Sequence, residues 1–243
     1  GSEMCIRDSW KRVLIDRLRP GTALIDVAGG TGDVALGFMD HGDGHDAIIV
    51  DANTHMLRVG RDRAMNRGVA TGITFVCADA AALPLPDRSA DAVTIAFGLR
   101  NVSRRAEALA EMHRVLSPGG HFICLEFSRV VLPVLARLYD LYSFEIIPRL
   151  GRWVTGHEDS YRYLVESIRA FPDQESLSAE LRDVGFCNGS YINLTGGIVA
   201  LFSAWSKGVA RLYYRSMTTC LSALLAEVAT QRALGHCLSG LLR

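Results

Sequence analysis

The run Asp26-Val27-Ala28-Gly29-Gly30-Thr31-Gly32-Asp33 stands between an apolar segment, Ala23 to Val27, and a segment of helical period, Asp33 to Met39. Glycines at 29, 30 and 32 remove Cβ atoms where the chain must turn sharply, and they let a ligand lie against main-chain N–H groups at a helix N-terminus. A strand, a glycine loop and a helix in that order belong to an open α/β sheet, and a nucleotide-like ligand belongs on Gly29, Gly30, Thr31 and Gly32.

The rest of the chain continues the alternation. Strands are expected at Ala23 to Val27, Ala47 to Asp51, Thr74 to Cys77, Ala92 to Phe97 and His121 to Glu126. Helices are expected at Asp33 to Met39, Thr54 to Arg67 and Arg104 to Leu116, the second capped by Asn53 or Thr54 and the third stopped by Ser117-Pro118-Gly119-Gly120. Five strands in βα order predict a doubly wound, mostly parallel sheet. A tyrosine- and arginine-rich stretch, Val130 to Phe171, reads as a helical insertion over the carboxyl edge, followed by a helix at Leu177 to Val184. Gly189 to Leu194 and Ile198 to Ala204 read as an antiparallel hairpin at the sheet edge, around Thr195-Gly196-Gly197.

With 243 residues, 49% of them hydrophobic, the chain can bury one full α/β core but not two. The expected division is a domain over 1–206 and a helical extension over 207–243, whose leucines near helical spacing and several arginines also suit a membrane surface or a partner. Basic and acidic residues balance at 26 each, so no global field draws the chain to nucleic acid. The six cysteines contain no Cys-x-x-Cys pair, which argues against a zinc knuckle or a disulfide framework and for a reducing compartment. No apolar run approaches the roughly 18 residues of a membrane span, and Gly1 to Arg19 has no signal-peptide core.

The glycine loop alone is ambiguous, because Gly30-x-Gly32-x-x-Ala35 also satisfies a dinucleotide pattern. Asp51 ends the second strand, where a carboxylate can accept from both hydroxyls of a ribose. Asp79 follows the third, where it can accept from an adenine amino group. Each aspartate alone is as readily a cap or turn former. Three features in register along βαβ units weigh against that plain reading, and because nicotinamide enzymes share the first acid while the second is more typical of S-adenosylmethionine sites, a methyl donor is favoured over a hydride carrier.

Longer runs carry a resemblance. They are Val27-Ala-Gly-Gly-Thr-Gly-Asp33, Phe97-Gly-Leu-Arg-Asn-Val102, Leu125-Glu-Phe-Ser128, Tyr139-Asp-Leu-Tyr-Ser-Phe144, Asp159-Ser-Tyr-Arg-Tyr-Leu-Val-Glu-Ser-Ile-Arg169 and Asn193-Leu-Thr-Gly-Gly-Ile-Val199. From Trp10 to about Trp205 the chain resembles the ubiquinone/menaquinone biosynthesis C-methyltransferases, the UbiE or Coq5 type, with Gly1 to Ser9 outside the likeness. The resemblance implies a class I, Rossmann-like methyltransferase fold. It also implies methyl transfer from S-adenosylmethionine to a ring carbon of a polyprenylated quinol, either demethylmenaquinol or a methoxy-polyprenyl-benzoquinol. Cofactor contacts are implied at Thr31, Asp51, Asp79 and Ala80, and at Ala96, where the family carries a serine. Loss of that hydroxyl predicts weaker cofactor binding at most. Members also carry several tens of residues before the tryptophan matching Trp10, including a Tyr-Asp-x-Met-Asn segment that helps close the site. A chain starting so near Trp10 is expected to bind poorly or be inactive.

The resemblance places Arg100 and Asn101 beside the quinol. A phenol of pKa about 10 needs a nearby cation or base to ionise at neutral pH, and Arg100 is expected to supply the charge. Removal of the ring proton then falls to water oriented by Arg100 or to Glu126. Arg100 as a salt-bridge residue and Glu126 as a strand-end cap are the plainer readings. Tyr139, Tyr142, Tyr161 and Tyr163 are candidates for a pocket wall. His41-Gly-Asp-Gly-His45-Asp46 reads as a solvated loop, and methyl transfer needs no metal. The expected setting is the cytoplasm, peripheral at the inner membrane, or the mitochondrial matrix in a eukaryote, with homodimerisation or a quinone-biosynthesis complex left open. Three other readings stay open here: a methyltransferase for another small acceptor, a non-catalytic scaffold subunit and, ranked low, an NAD-dependent oxidoreductase.

Overall fold

A computed structural model of the chain describes residues 2–40, 46–69, 71–128, 163 and 166–208. Its strands are β1 (Ala23–Val27), β2 (Asp46–Asp51), β3 (Ile73–Cys77), β4 (Ala90–Ala96), β5 (Leu116–Phe127), β6 (Cys187–Leu194) and β7 (Val199–Trp205). The helices are α1 (Ser2–Ile15), α2 (Asp33–Met39), α3 (Thr54–Asn66), α4 (Arg105–Val115) and α5 (Gln174–Val184). The strands form one sheet in the order β3-β2-β1-β4-β5-β7-β6. β1 to β5 pair in parallel, and β7 pairs antiparallel with both β5 and β6.

Side chains alternate across the sheet, as the pleat requires, so each strand feeds two cores. Leu24, Ile123 and Leu125 pack with Trp10 and Leu14 of α1 and Phe38 of α2 on one face. Ile25, Phe122 and Cys124 pack with Leu109 and Met112 of α4 and Leu181 of α5 on the other. Strand order reverses direction between β1 and β4. At such a switch point the helices leave to opposite faces and open a crevice at the carboxyl ends of the strands.

The expected α/β fold is present, with local corrections. Helix α4 stops ahead of Ser117-Pro118-Gly119-Gly120 as expected, although that run is paired strand. It ends at Val115, and residues 116–120 already belong to β5, with a register shift opposite Ala90 and Ala92. The last helical carbonyls, those of Arg114 and Val115, accept from the N–H groups of Arg88 and Ser89, so the chain passes straight into sheet pairing. The closing hairpin does sit at the sheet edge, but its second strand, β7, lies inside and β6 forms the margin. Helix α1 was not anticipated, because its apolar face is legible only once Trp10, Leu14 and Ile15 have a sheet to cover. Asn53 is the cap of α3, accepting from His55 N at 2.9 Å. Most of the Val130 to Phe171 insertion and residues 209–243 lie outside the described residues.

Helix α3 is brought against the glycine loop by Gly60. A Cβ there would stand 2.9 Å from the Phe75 ring and 3.3 Å from the Thr31 main chain. Replacing glycine by alanine in a helix normally adds up to about 1 kcal/mol, whereas forcing extra volume into a packed contact costs about 1–3 kcal/mol. Gly60→Ala is therefore expected to lower the unfolding free energy measured in urea; a gain would mean that the contact yields freely.

Candidate active site

The carboxyl ends of β1, β2, β3, β4 and β5 carry the expected site residues. After β1 the chain turns through Ala28 at φ +50°, Gly30 at +56° and Gly32 at +79°. Gly29 must lack a side chain, since a Cβ would approach Asp26 Oδ2 to 2.8 Å and the Ile49 side chain to 2.9 Å. The loop is tied down from two sides. Arg63 of α3 donates to the Thr31 carbonyl at 3.1 Å, the Thr31 hydroxyl at 2.7 Å and Asp33 at 2.6 Å, while Lys11 of α1 pairs with the other oxygen of Asp33.

Asp51 lies at the end of β2 as expected. Its Oδ2 accepts from Gly30 N at 2.9 Å and its Oδ1 from Asn53 N at 2.8 Å, which orients the carboxylate toward the loop and leaves a lone pair on each oxygen. A Cβ on Gly30 would stand 3.3 Å from Met56 Cε and 3.9 Å from Asp51 Oδ2, so Gly30 faces the space those side chains border. Asp79 follows β3 with Ala80 beside it; its Oδ1 accepts from Ala81 N at 2.9 Å and its Oδ2 from Arg104 at 2.7 Å. Those bonds hold the exposed Asp79 carboxyl below its usual range. Gly29 to Gly32, Asp51, and Asp79 with Ala80 thus stand at or just past the carboxyl ends of β1, β2 and β3, and Ala96 ends the neighbouring β4.

Beyond β4 the backbone again enters the left-handed region, at Phe97 with φ +56°. A bulky residue held there costs on the order of 1–3 kcal/mol. The Phe97 N–H donates to Leu125 O at 2.7 Å, and the following 3₁₀ turn, Leu99–Asn101, carries Arg100 over β5. Arg100 is 11% exposed and Glu126 fully buried at 0%. Arg100 Nη1 donates to Glu126 Oε1 and to the Phe97 carbonyl, each at 2.6 Å, and the guanidinium stands 5.1 Å from the Phe127 ring centroid. Glu126 also accepts from the main-chain N–H groups of Arg100, at 3.2 Å, and Phe127, at 2.9 Å. Burial pushes the Glu126 carboxyl up, against the opposing pull of Arg100. Arg100 Nε is buried and has no hydrogen-bond partner among the described residues. Next to it, Asn101 Oδ1 accepts from the hydroxyl of Tyr163 at 3.1 Å. Tyr139, Tyr142 and Tyr161 lie outside the described residues.

Several residues of this site were not singled out from the sequence. Trp10, Phe97 and Phe127 form an aromatic cluster under Arg100, which no local pattern announces. Lys11 and Arg63 are ordinary helix-surface residues until the loop meets them. Asp26 opens the glycine run but points inward, 1% exposed, and accepts from the Thr94 hydroxyl of β4 at 2.8 Å. Among the described residues no group of three or more His, Cys, Asp or Glu is placed to share a metal ion, and residues 41–45 of the histidine loop lie outside them.

Known proteins share this architecture. A SAM-dependent methyltransferase from Aquifex aeolicus superposes with a TM-score of 0.59 at 16% identity, covering 81% of this chain and 88% of that one. Another from Thermotoga maritima gives 0.60 at 21%, covering 82% and 88%. At such identities the likeness shows the fold alone, and that fold, with its glycine loop, is the class I S-adenosylmethionine-dependent methyltransferase fold. Sequence carries the assignment further. The ubiE/COQ5 methyltransferase family matches residues 3–206. "Ubiquinone/menaquinone biosynthesis C-methyltransferase UbiE" of Ectopseudomonas mendocina is 51% identical over 195 residues, spanning 79% of this chain and 76% of that protein. The protein of the same name from Brucella anthropi is 51% identical over 201 residues, 81% and 76%. The chain belongs to the ubiE/COQ5 methyltransferase family and is an S-adenosylmethionine-dependent methyltransferase. The family match starts ahead of Trp10, so most of Gly1 to Ser9 falls within the family after all.

Burial raises the Asp26 carboxyl from 3.8 to about 7, with the Thr94 hydrogen bond opposing. Between those two values the folded chain holds a proton that the unfolded chain has lost, so this group's contribution to stability falls as pH rises through the window. Asp26→Asn is expected to flatten the pH dependence of the unfolding free energy between about pH 4 and pH 7, with a ceiling of about 4 kcal/mol on the change across it. Equal slopes for the two proteins would show that Asp26 is ionised throughout.

Proposed function

We propose that this chain methylates a ring carbon of a polyprenylated quinol, demethylmenaquinol or a methoxy-polyprenyl-benzoquinol, in menaquinone or ubiquinone biosynthesis. The observation that carries the reading is Arg100 Nε, a buried donor at the carboxyl edge with no partner among the described residues. Leaving such an N–H unpaired costs about 1–3 kcal/mol, so an acceptor oxygen on a ligand is its natural complement. The names carried by relatives at 51% identity support a quinone precursor as that ligand.

The residues fit S-adenosylmethionine: Gly29, Gly30, Thr31 and Gly32 would pass beneath it, Asp51 would take the ribose and Asp79 the adenine, with Ala80 and Ala96 in main-chain contact. When bound, this cofactor supplies an electrophilic methyl group. The protein's own task is then to ionise the quinol and hold it in line, and such positioning is worth up to about 7–11 kcal/mol of a barrier. Arg100 Nε donates to one quinol oxygen, and the guanidinium charge favours the phenolate that makes the adjacent ring carbon nucleophilic. Tyr163 holds the oxygen of Asn101, whose amide N–H groups would donate to the quinol. Glu126, with both oxygens engaged, fixes Arg100, and the ring proton released after attack passes to water beside the guanidinium.

A polyprenyl tail partitions into lipid, so catalysis is expected at a membrane surface, peripherally; among the described residues no helix is long and apolar enough to cross one. A bacterial cytoplasmic setting, a homodimer and a quinone-biosynthesis assembly belong to the same proposal, and 207–243 is read as an extension outside the catalytic domain.

Calorimetric titration with S-adenosylmethionine, with NADH as control, tests the cofactor half. Asp51→Ala is expected to weaken binding about 10- to 100-fold, since hydrogen bonds to a charged group are worth about 1.5–3 kcal/mol. Binding of NADH alone would replace the methyltransferase reading. For the acceptor half, Arg100→Met is expected to lower quinol turnover about 100-fold or more with cofactor affinity kept, as removal of a charge-stabilising donor does elsewhere. Unchanged turnover would move the ionising role to another residue.

A further inference from the structure

Arg100 is held by more than its ion pair. Its Nη1 needs the Phe97 carbonyl at 2.6 Å, and that carbonyl is aimed by the left-handed backbone at Phe97. A phenylalanine stays in that conformation only when its surroundings over-determine it. Here they do so through rings. Phe97 stands 4.9 Å from Phe127 and 6.1 Å from Trp10, centroid to centroid, and Trp10 meets Phe127 edge-on at 6.4 Å. Phe127 is also the ring against which the Arg100 guanidinium rests.

Trp10 is itself fixed at both ends. The residue is 6% exposed, and its Nε1 donates to the Thr195 hydroxyl at 2.9 Å, across 185 residues of chain. Thr195 begins the 3₁₀ turn Thr195–Gly197 between β6 and β7, so the bond fastens α1 to the end of the closing hairpin. The next residue of α1, Lys11, pairs with Asp33 at the start of α2, on the cofactor side of the crevice. One turn of α1 therefore braces both lips of the switch point.

We infer that Trp10 is a positioning residue for methyl transfer: it wedges the strained Phe97 turn against Phe127 and so sets the guanidinium of Arg100. This rests on the reading of Arg100 as the group that meets the acceptor. A tryptophan that merely filled the core would stabilise the fold and leave the chemical step untouched. A positioning tryptophan acts on turnover and spares cofactor binding, because its contacts are to the β4 and β5 ends and not to Asp51 or Asp79.

The experiment compares Trp10→Leu, Trp10→Phe and Thr195→Val with Arg100→Met. Phe186→Leu is the control; it removes ring packing against Phe122 and His113 on the opposite face of the sheet. Three quantities are measured on each folded protein: kcat with a quinol, S-adenosylmethionine affinity by calorimetry, and the Arg100 Nε–H signal in a nitrogen-15 side-chain spectrum. Trp10→Leu is expected to lower kcat roughly 10- to 100-fold, the scale of a small misplacement, with cofactor affinity unchanged. Trp10→Phe should restore most of the loss, since a ring still meets Phe97. Thr195→Val should fall between, and Phe186→Leu should keep wild-type kcat. The Arg100 signal should be slow to exchange in the wild type and Phe186→Leu and broadened in Trp10→Leu.

Wild-type kcat in Trp10→Leu, or an equal fall in Phe186→Leu, would overturn the inference. If Arg100→Met keeps full turnover, the reading of Arg100 fails by itself, and the Arg100 signal still decides whether Trp10 holds the guanidinium. Should Trp10→Leu fail to fold, Trp10→Phe and Thr195→Val carry the same test, and wild-type kcat in Thr195→Val with an unmoved Arg100 signal would sink it.

Discussion

The pairing of β1 with β4 at the middle of the sheet is the constraint on which the rest depends. The register sets Val27 beside Ile95, so the two strands end within one residue of each other, and each is followed by a residue in the left-handed region, Ala28 and Phe97. The two turns touch: a Cβ on Gly98 would stand 2.6 Å from that of Ala28. A glycine loop on one lip and an arginine turn on the other are thereby held face to face. Their separation is governed by main-chain hydrogen bonding, the least deformable element available. The Thr94–Asp26 hydrogen bond spans the same pair of strands directly below, in the interior.

Charge placement follows from that geometry. On the cofactor lip the ionic groups are exposed or half-exposed, as with Asp79 and Arg104, and water screens them, so their value lies in orienting loops more than in stability. On the other lip, Glu126 is fully buried and Arg100 nearly so. A buried pair gains little net stability over an apolar replacement, but removing one partner strands the other charge and is costly. Such a pair earns its place through specificity of position. Three hydrogen bonds accepted by Glu126 and the aromatic floor beneath the guanidinium hold Arg100 in place.

Helix α1 gives the two lips a common brace. Ordinarily a helix packed on a sheet contributes burial alone. Here adjacent residues reach in different directions, Trp10 to the rings after β4 and β5 and Lys11 to the helix after the glycine loop. The β6–β7 turn completes the arrangement through Thr195, so the antiparallel end of the sheet, remote in sequence from β1 and β4, is tied to the helix that braces them.

By itself the sequence determined the parallel sheet, the position of the glycine loop and the placement of Asp51 and Asp79 at strand ends. Those features are encoded locally: strands by apolar runs, the loop by missing Cβ atoms, the acids by their distance from the strand they follow. It also singled out Arg100 and Asn101 through a long resemblance, and Glu126 as a nearby carboxylate. It placed the end of the third helix at Ser117-Pro118-Gly119-Gly120, where proline and glycines mark a break, but not the pairing of that run in β5, which follows from Arg88 and Ser89 satisfying the last helical carbonyls from elsewhere. The tertiary structure alone decided that Glu126 faces Arg100, that Asp26 faces inward, and that Trp10, Phe97, Phe127 and Thr195 meet. These are contacts between residues many positions apart, whose partners have no fixed spacing, and only the closing of the sheet brings them within reach.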